Sequence, residues 1–295
     1  MATCDATATP TLCDWCLRVL NTPDPTEKVT VTQELSRQWT EGLIKEIGHG
    51  QALDRPARPD DLEFVAPGKA VKLGKAGSLR SRIAILHSLA NVEQWAIDTA
   101  VDTIVRFGSV GAPVEPPCSA LLEHTTAPAA AQPLPRTFYD DFVRMAAEEA
   151  KHFLWLTQRL GDLGSHFGAL PVHAGIWDSA FETRHALVCR VGIVQMVQES
   201  RGLDVSDSTV EKFRAVGDTP TADMLTAILA DEVTHVATGY RWFSHECDRR
   251  GLDRQACFRS VVRHHFRGVL KPPFNEAARR AAGMEPELYQ GLDAK

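Results

Sequence analysis

The sequence has no excess of basic charge: 32 lysines and arginines stand against 38 aspartates and glutamates in 295 residues, for a net charge of −6. Proteins that bind nucleic acid or anionic membranes through their overall field are basic, so we expect neither partner. No apolar run approaches the ~20 residues that span a bilayer. The start, MATCDATATPTLCDW, lacks the charged and then apolar pattern of a secretory signal. These absences predict a soluble protein of the cytoplasm.

Cysteines at metal-site spacing are also scarce. The seven cysteines are scattered, and a single CxxC pair is formed by Cys13 and Cys16. Scattered thiols stay reduced in the cytoplasm, and this pair fits one turn of an amphipathic helix as two small apolar residues. The sequence has no four-cysteine iron–sulfur pattern and no flavin or nicotinamide fingerprint. Any redox reaction would therefore need an external electron donor.

Helix-period patterning is plentiful, and 44% of the residues are hydrophobic. No convincing strand alternation appears, so we predict an all-α fold with a sizeable core. The pattern predicts four long helices, at about 78–107, 136–160, 178–201 and 219–249. We expect a single domain over 1–295, divided into a helical and loop extension at 1–76, a four-helix bundle at 77–250 and a helical tail at 251–295.

Two of the long helices carry the same motif, a glutamate followed three residues later by a histidine. Residues at i and i+3 share one helix face, so each pair offers a carboxylate and an imidazole to one point. The other two long helices each carry a glutamate in an apolar setting. This is the ligand pattern of di-iron and di-manganese carboxylate bundles. The predicted metal ligands are Glu93, Glu149, His152, Glu199, Glu232 and His235.

The chemistry of two divalent ions explains this choice of residues. Four carboxylates offset four positive charges, and two imidazoles suit iron, manganese or a mixed pair better than calcium or magnesium. Six protein ligands leave coordination positions open for O2 or water. A lone ExxH pair is more often a surface pair or a satisfied core histidine. Four carboxylates on core faces without counter-charge would be costly, which favours the metal site.

Neighbouring residues complete the predicted site. A ligand histidine usually has a partner on its other ring nitrogen, and an acidic residue precedes each motif glutamate. We expect Asp231 to hold His152 and Glu148 to hold His235. Residues one turn from the ligands should line a mostly apolar cavity, with a small gap at the glycine: Gln195, Met196, Thr238, Gly239 and Trp242.

Two basic stretches, 69–82 and 259–267, stand apart from the acidic balance of the chain. A solvated surface is the favoured interpretation, and the alternative is a site for an anionic partner such as tRNA. His264 and His265, beside the second stretch, are expected at the surface. The basic residues are Lys69, Lys72, Lys75, Arg80, Arg82, Arg259, Arg263 and Arg267.

Several segments resemble the ferritin-like superfamily of di-iron carboxylate proteins and, within it, an uncharacterised bacterial family related to di-iron tRNA hydroxylases. Asn91 departs from the histidine that relatives carry before the first-helix glutamate. The resemblance extends from about Cys16 to about Arg267 and covers the six ligand positions. It rests on CLRVLNTPDPTEKV, HSLANVEQWAIDTAVD, EEAKHF, ESRGLDV and GDTPTADMLTAILADEVTHVATGYRWFSHEC.

The resemblance implies a ferritin-like four-helix bundle that holds two iron ions, or manganese or a mixed pair. The implied function is an oxidoreductase that activates O2 to oxidise or hydroxylate an organic substrate, with an external electron donor. A homodimer is a generic expectation. The alternatives are a ferroxidase or other metal-handling protein, a tRNA-modifying hydroxylase, and a helical scaffold in which the Glu/His set is vestigial.

Overall fold

The computed structural model describes residues 9–109 and 133–293. Regular structure in these ranges is helical, apart from an isolated bridge between Phe64 and Val172, so the prediction of an all-α protein is confirmed. The helices are α1 Leu12–Asn21, α2 Pro25–Thr40, α3 Leu79–Thr103, α4 Arg136–Asp162, α5 Gly175–Glu182, α6 Leu187–Val191, α7 Glu199–Ala215, α8 Thr219–Arg250, α9 Arg254–His265, α10 Glu276–Ala281 and α11 Pro286–Tyr289. A 3₁₀ turn covers Pro67–Lys69, and π-helical segments cover Ile104–Gly108 and Gly192–Gln198.

Side-chain caps fix where two of the long helices, α3 and α8, begin. Ser78 accepts the backbone N–H of Ser81 at the start of α3, and Asp218 accepts that of Thr221 at the start of α8. These bonds satisfy donors that a helix start otherwise leaves unpaired. Gly251, with φ of +64°, ends α8 in the left-handed conformation that glycine adopts without steric cost.

Three of the four predicted long helices are confirmed to within two residues at either end. α3 and its π-helical extension cover 79–108, α4 covers 136–162, and α8 covers 219–250. α3 packs along α4, α4 also contacts α8, and α8 packs along α7 and along the π-helical segment that precedes α7. The elements that carry the predicted ligands therefore lie next to one another.

The third predicted helix, 178–201, is wrong at both ends. α5 stops at Glu182, and the helix that resumes at Leu187 continues through Gly202 to Ala215. The buried guanidinium of Arg190 donates to the carbonyl of Ala180, which satisfies the end of α5 without continuing the helix. Beyond Gly202, a buried stripe formed by Leu203, Val210 and Phe213 stabilises α7. That packing outweighs the helical cost of glycine, about 1 kcal/mol.

The π-helical segment Gly192–Gln198 packs closely against α8. A Cβ atom placed on Gly239 would lie 2.6 Å from Cβ of Gln195 and 3.0 Å from its backbone carbon. Glycine is required at 239 because any side chain would collide with the segment. The small gap expected at Gly239 is therefore absent, since Gln195 fills it.

The helices outside this central group cover its flanks. α1 and α2 pack against α3 and α4, and α9 and α10 pack against α8, α7 and the π-helical segment between 192 and 198. Lys28 of α2 forms a fully buried ion pair with Asp98 of α3 at 2.6 Å, and Arg58 contacts the same carboxylate. Within residues 9–109 and 133–293, none of the helices combines the length and the apolarity that crossing a membrane requires.

Candidate metal centre

Four of the predicted ligands form one buried cluster. Glu93 comes from α3, Glu149 and His152 from α4, and Glu232 from α8. One ligand atom from each of the four lies within 4.8 Å of the others. None of the four residues is more than 8% exposed. This buried Glu/His group could hold a metal ion.

The imidazole of His152 faces three carboxylates with the same ring nitrogen. Its Nδ1 atom lies 3.4 Å from Oε2 of Glu93, 3.6 Å from Oε2 of Glu149 and 3.4 Å from Oε1 of Glu232. His235 faces the other oxygen of Glu149 and of Glu232 in a similar way. Its Nδ1 atom lies 2.9 Å from Oε1 of Glu149 and 3.2 Å from Oε2 of Glu232.

Glu149 and Glu232 therefore lie between the two histidines. Each directs one carboxylate oxygen towards His152 and the other towards His235. The imidazole centroids are 5.9 Å apart. This arrangement creates two neighbouring positions that share two carboxylates, and Glu93 is directed to the position at His152.

The outer nitrogen of each imidazole donates to an acid on the opposite helix. Nε2 of His152 on α4 lies 3.0 Å from Oδ2 of Asp231, and Nε2 of His235 on α8 lies 2.8 Å from Oε2 of Glu148. These are the two pairs expected from the sequence. Because Nε2 is the donor in both rings, Nδ1 is the atom left to face the cluster.

Two cations that the sequence interpretation missed support these acids. Lys151 donates to Asp231 at 2.6 Å, and Arg144 donates to Glu148 at 2.7 Å. The contact between Arg144 and Glu148 could have been predicted from the sequence, because the two residues are four apart on one helix face. The Lys151 contact crosses from α4 to α8, and sequence spacing carries no information about it.

Burial and mutual charge perturb the acid–base behaviour of the cluster. Burial raises the pKa of Glu93 well above its usual value, and the nearby charge of Glu149 adds to the effect. Burial also disfavours a charged His235, but the carboxylates of Glu232 and Glu149 outweigh it and raise the pKa of that histidine. Burial disfavours a charged His152 as well, but the neighbouring carboxylates of Glu149, Glu232 and Glu93 outweigh it and raise the pKa of that histidine.

Unpaired buried atoms provide a test of whether a metal fits. Both carboxylate oxygens of Glu149 and the Nδ1 atom of His152 are buried without a hydrogen bond of acceptable geometry. Buried polar atoms in native proteins are nearly always paired. All three can ligate a metal: Oε2 of Glu149 and Nδ1 of His152 face one position, and Oε1 of Glu149 faces the other. Divalent cations at these positions would satisfy them.

Glu199 is not part of the four-residue cluster. It is the first residue of α7, directly after the π-helical segment, and it is only partly buried by solvent accessibility. Burial, with the charges of Glu232 and Glu149, raises its pKa well above the usual value, so its carboxylate lies within their electrostatic reach.

The residues expected to line a cavity are buried, with different partners. Thr238 accepts a hydrogen bond from Arg144 at 3.2 Å, and the Trp242 indole donates to Asp141 at 2.9 Å. Met196 is fully buried. The amide of Gln195 is fully buried, and neither its nitrogen nor its oxygen has a hydrogen-bond partner among the described residues.

The two basic stretches differ in which of their side chains form hydrogen bonds or ion pairs. Arg259 donates to the backbone carbonyl of Gln290 at 2.7 Å, and Arg267 pairs with Glu182 at 2.9 Å. In the other stretch Arg82 pairs with Asp218 at 3.3 Å. Lys69, Lys72, Lys75 and Arg80 are exposed.

Comparison with known proteins gives matches that span most of the chain. A family model described as "Protein of unknown function (DUF455)" matches residues 21–290. An uncharacterized protein of Haemophilus influenzae is 30% identical over 273 residues, which cover 90% of this chain and 87% of the relative. No solved structure matches the chain. The family match includes all the residues of the Glu/His cluster.

Proposed function

The chain belongs to the DUF455 family of proteins of unknown function. From the geometry of its Glu/His cluster, we propose that it is a non-haem di-iron oxidoreductase. The proposed reaction uses O2 to oxidise or hydroxylate an organic substrate. The proposed ligands are Glu93, Glu149, His152, Glu199, Glu232 and His235, with manganese or a mixed pair as the alternative metal content. We further propose that their helices form a ferritin-like bundle within a single domain.

The placement of Glu149 and Glu232 between His152 and His235 carries the proposal. One mononuclear ion needs one set of ligands around one point, whereas here two imidazoles flank two shared carboxylates. Carboxylates that span two nitrogen donors are the arrangement that bridging ligands of a two-metal site require. The buried acids also supply the negative charge that two divalent cations need.

The chain's own side chains prepare the site for metal. Asp231 and Glu148 keep a proton on Nε2 of His152 and His235, so that Nδ1 of each ring is the atom that would lose its proton and bind a cation. His152 and His235 have no exposed surface, so their ring positions are shielded from bulk water. Two bound ferrous ions would supply two electrons and open coordination positions for O2.

A hydroxylation at this site balances with one external reductant. One oxygen atom of O2 enters a C–H bond of the substrate, and the other leaves as water after taking up two electrons and two protons. An external electron donor, either a separate protein or a small molecule, returns the two electrons for the next turnover, because the sequence has no flavin, nicotinamide or iron–sulfur fingerprint.

The test is an anaerobic Fe(II) titration of metal-free protein, followed by O2 exposure with oxygen consumption recorded. We expect two ferrous ions per chain that depend on the Glu/His cluster, and O2 uptake that depends on them. Glu149→Gln should lose both ions because Glu149 lies between both histidines. Glu93→Gln should weaken only the ion at His152, because Glu93 contacts that ring alone.

A matched control is Glu211→Gln, because Glu211 is an exposed acid of α7 whose partner is Arg214. This variant should bind iron like the unaltered protein. Equal loss of a single ion in Glu149→Gln and Glu93→Gln would contradict the shared position of Glu149. Uptake of many ferric ions per chain as a mineral would instead identify a metal-handling protein, and retention of both ions in Glu149→Gln would refute the ligand assignment.

A further inference from the structure

A second group of metal-binding side chains lies outside the Glu/His cluster. His185 is in the turn between α5 and α6, Cys189 is in α6, and His265 is the last residue of α9. One ligand atom from each lies within 4.8 Å of the others. The group shares no residue with the Glu/His cluster, so it would be a separate site.

The three side chains of this group differ in burial. Cys189 is fully buried, whereas His185 and His265 are partly exposed. The two imidazole rings have centroids 5.2 Å apart and are tilted by 48°. The thiol is therefore the most buried member of the group, and the two rings lie nearer to solvent.

One thiolate and two imidazoles form a ligand set for a particular class of ion. Sulfur and nitrogen donors suit Zn²⁺ and its analogue Co²⁺, whereas Ca²⁺ and Mg²⁺ require oxygen donors. A tetrahedral zinc ion has Zn–S near 2.3 Å and Zn–N near 2.0 Å, which places ligand atoms roughly 3.3–3.6 Å apart. Small side-chain rotations would bring atoms within 4.8 Å to that spacing.

We propose that His185, Cys189 and His265 form a mononuclear Zn²⁺ site, with water or an added ligand in the fourth position. Binding releases the thiol proton of Cys189 to solvent, and the resulting thiolate offsets one of the two positive charges. The proposal does not rest on the di-iron function, because it uses different residues and a different donor chemistry.

The site has a structural consequence for the helix that leads to Glu199. Cys189 lies in α6, which continues directly into the π-helical segment Gly192–Gln198, and α9 packs against that segment. A metal held by Cys189 and His265 would tie α9 to the start of this continuous helix. Zinc binding should therefore stabilise the folded chain by mass action, in addition to any effect on chemistry.

Co²⁺ titration of metal-free protein, followed by absorption spectroscopy, tests the proposal. A cobalt–thiolate bond gives a charge-transfer band, and the Glu/His cluster contains no cysteine that could produce one. We expect Co²⁺ to develop the band until one thiolate-bound ion per chain is present, with any further Co²⁺ at the Glu/His cluster adding no such band, and we expect excess Zn²⁺ to abolish it. The absence of any thiolate band in folded, reduced protein would overturn the proposal.

Variants assign the band to its residues. Cys189→Ser should remove it, and His265→Ala, at a partly exposed position that folding tolerates better, should weaken Zn²⁺ binding by more than about 100-fold, since losing even an outer partner of a ligand costs 10–100-fold. His264→Ala is the matched control, because its ring bonds the backbone carbonyl of Ser260 instead. Persistence of the band in Cys189→Ser, or undiminished Zn²⁺ affinity in His265→Ala, would overturn the assignment.

A second control addresses the CxxC pair as a competing source of thiolate. Cys13 is engaged with the hydroxyl of Ser109 at 3.3 Å and lies 3.7 Å from the carbonyl of Gly48. Cys13→Ser should therefore retain the full band. If the band disappears in Cys13→Ser and remains in Cys189→Ser, the zinc ion belongs to the CxxC pair and the proposal is wrong. Neither result depends on the iron content of the Glu/His cluster.

Discussion

Asp231 of α8 holds His152 of α4 from the side opposite the carboxylate cluster, with 3.0 Å between Oδ2 and Nε2. The same oxygen accepts a hydrogen bond from Lys151 at 2.6 Å. Burial opposes ionisation, but the hydrogen bonds from Lys151 and His152 outweigh it and lower the pKa of Asp231. The acid is therefore ionised near neutral pH and fixes which ring nitrogen faces the cluster.

Asp231→Asn should weaken Fe(II) binding by about 10–100-fold, the usual cost of losing a partner that orients a ligand histidine. The amide has the shape of the acid but lacks the charge that holds the proton on Nε2 of His152. Equilibrium dialysis of anaerobic protein measures the effect. Asp223→Asn, at an exposed position on the same helix, is the control and should bind iron normally. Equal affinities of the two variants would show that the Asp231 contact is dispensable.

The sequence predicted the two hydrogen bonds that hold the outer ring nitrogens, Asp231–His152 and Glu148–His235. Each motif has one acid beside it, so two facing helices leave few possible pairings. It could not predict the π-helical segment Gly192–Gln198, because this stretch is apolar on nearly every helix face, so the extra residue leaves no visible break in the apolar pattern. For the same reason Gln195 was expected beside a gap, although it packs on Gly239. The break at 183–186 was also missed, because the bond from the Arg190 guanidinium to the carbonyl of Ala180, which satisfies the end of α5, has no signal in the helical pattern.

His265 shows another limit of sequence reasoning. It lies in a run of basic residues, which is typical of a solvated surface, and it was expected there. The structure makes it partly buried beside His185, which is 80 positions earlier in the chain. A pairing across such a separation is set by how α9 packs, and neither segment alone carries a signal for it.

Gly239→Ala should destabilise the protein by about 1–3 kcal/mol, the usual range for overpacking a close contact. The new methyl group would meet Cβ and backbone carbon of Gln195, and backbone cannot move aside as a flexible side chain can. Urea unfolding measures the change in free energy. Because the displaced segment leads directly to Glu199, Fe(II) binding should fall as well.

Gly202→Ala is the matched control for that substitution. Gly202 is also within a helix, but a Cβ atom there meets nothing within 4 Å. Alanine should therefore stabilise the protein by about 0.5–1 kcal/mol through its helix propensity. The two glycine variants should move the free energy of unfolding in opposite directions, and a shift of the same sign would refute the close packing at Gly239.

Asp98→Asn should cost about 3–5 kcal/mol, because it leaves buried cations without their counter-charge. Asp98 pairs with Lys28 at 2.6 Å and also with Arg58, and Lys28 and Asp98 are fully buried. Burial lowers the pKa of Lys28 to about 8, although Asp98 opposes that shift. Glu34→Gln, which removes one of the two exposed carboxylate partners of Arg37, should change the stability far less. Similar urea midpoints for both variants would contradict this contrast.

The stability of the protein should depend on His87 as the pH falls. Nε2 of this buried histidine accepts the backbone N–H of Gly168 at 2.9 Å, which only the unprotonated nitrogen can do. Burial, with a smaller contribution from His166, lowers the pKa of His87 from 6.5 to about 4. Between those values the unfolded chain binds a proton that the folded chain does not. The contribution of neutral His87 to the free energy of unfolding is therefore fully present above about pH 6.5 and is lost as the pH falls to about 4.

The His87 contribution is measured by comparing unaltered protein with His87→Gln in urea unfolding from about pH 7 to pH 4. The glutamine does not titrate and can still accept the Gly168 N–H, so its curve lacks this proton uptake. The difference in unfolding free energy should shift by about 2–3 kcal/mol in favour of the variant over that range. Titration of the Glu/His cluster is common to both proteins and cancels in the difference. Parallel curves would mean that His87 keeps its ordinary pKa in the folded state, and that the bond from Gly168 does not hold the ring neutral.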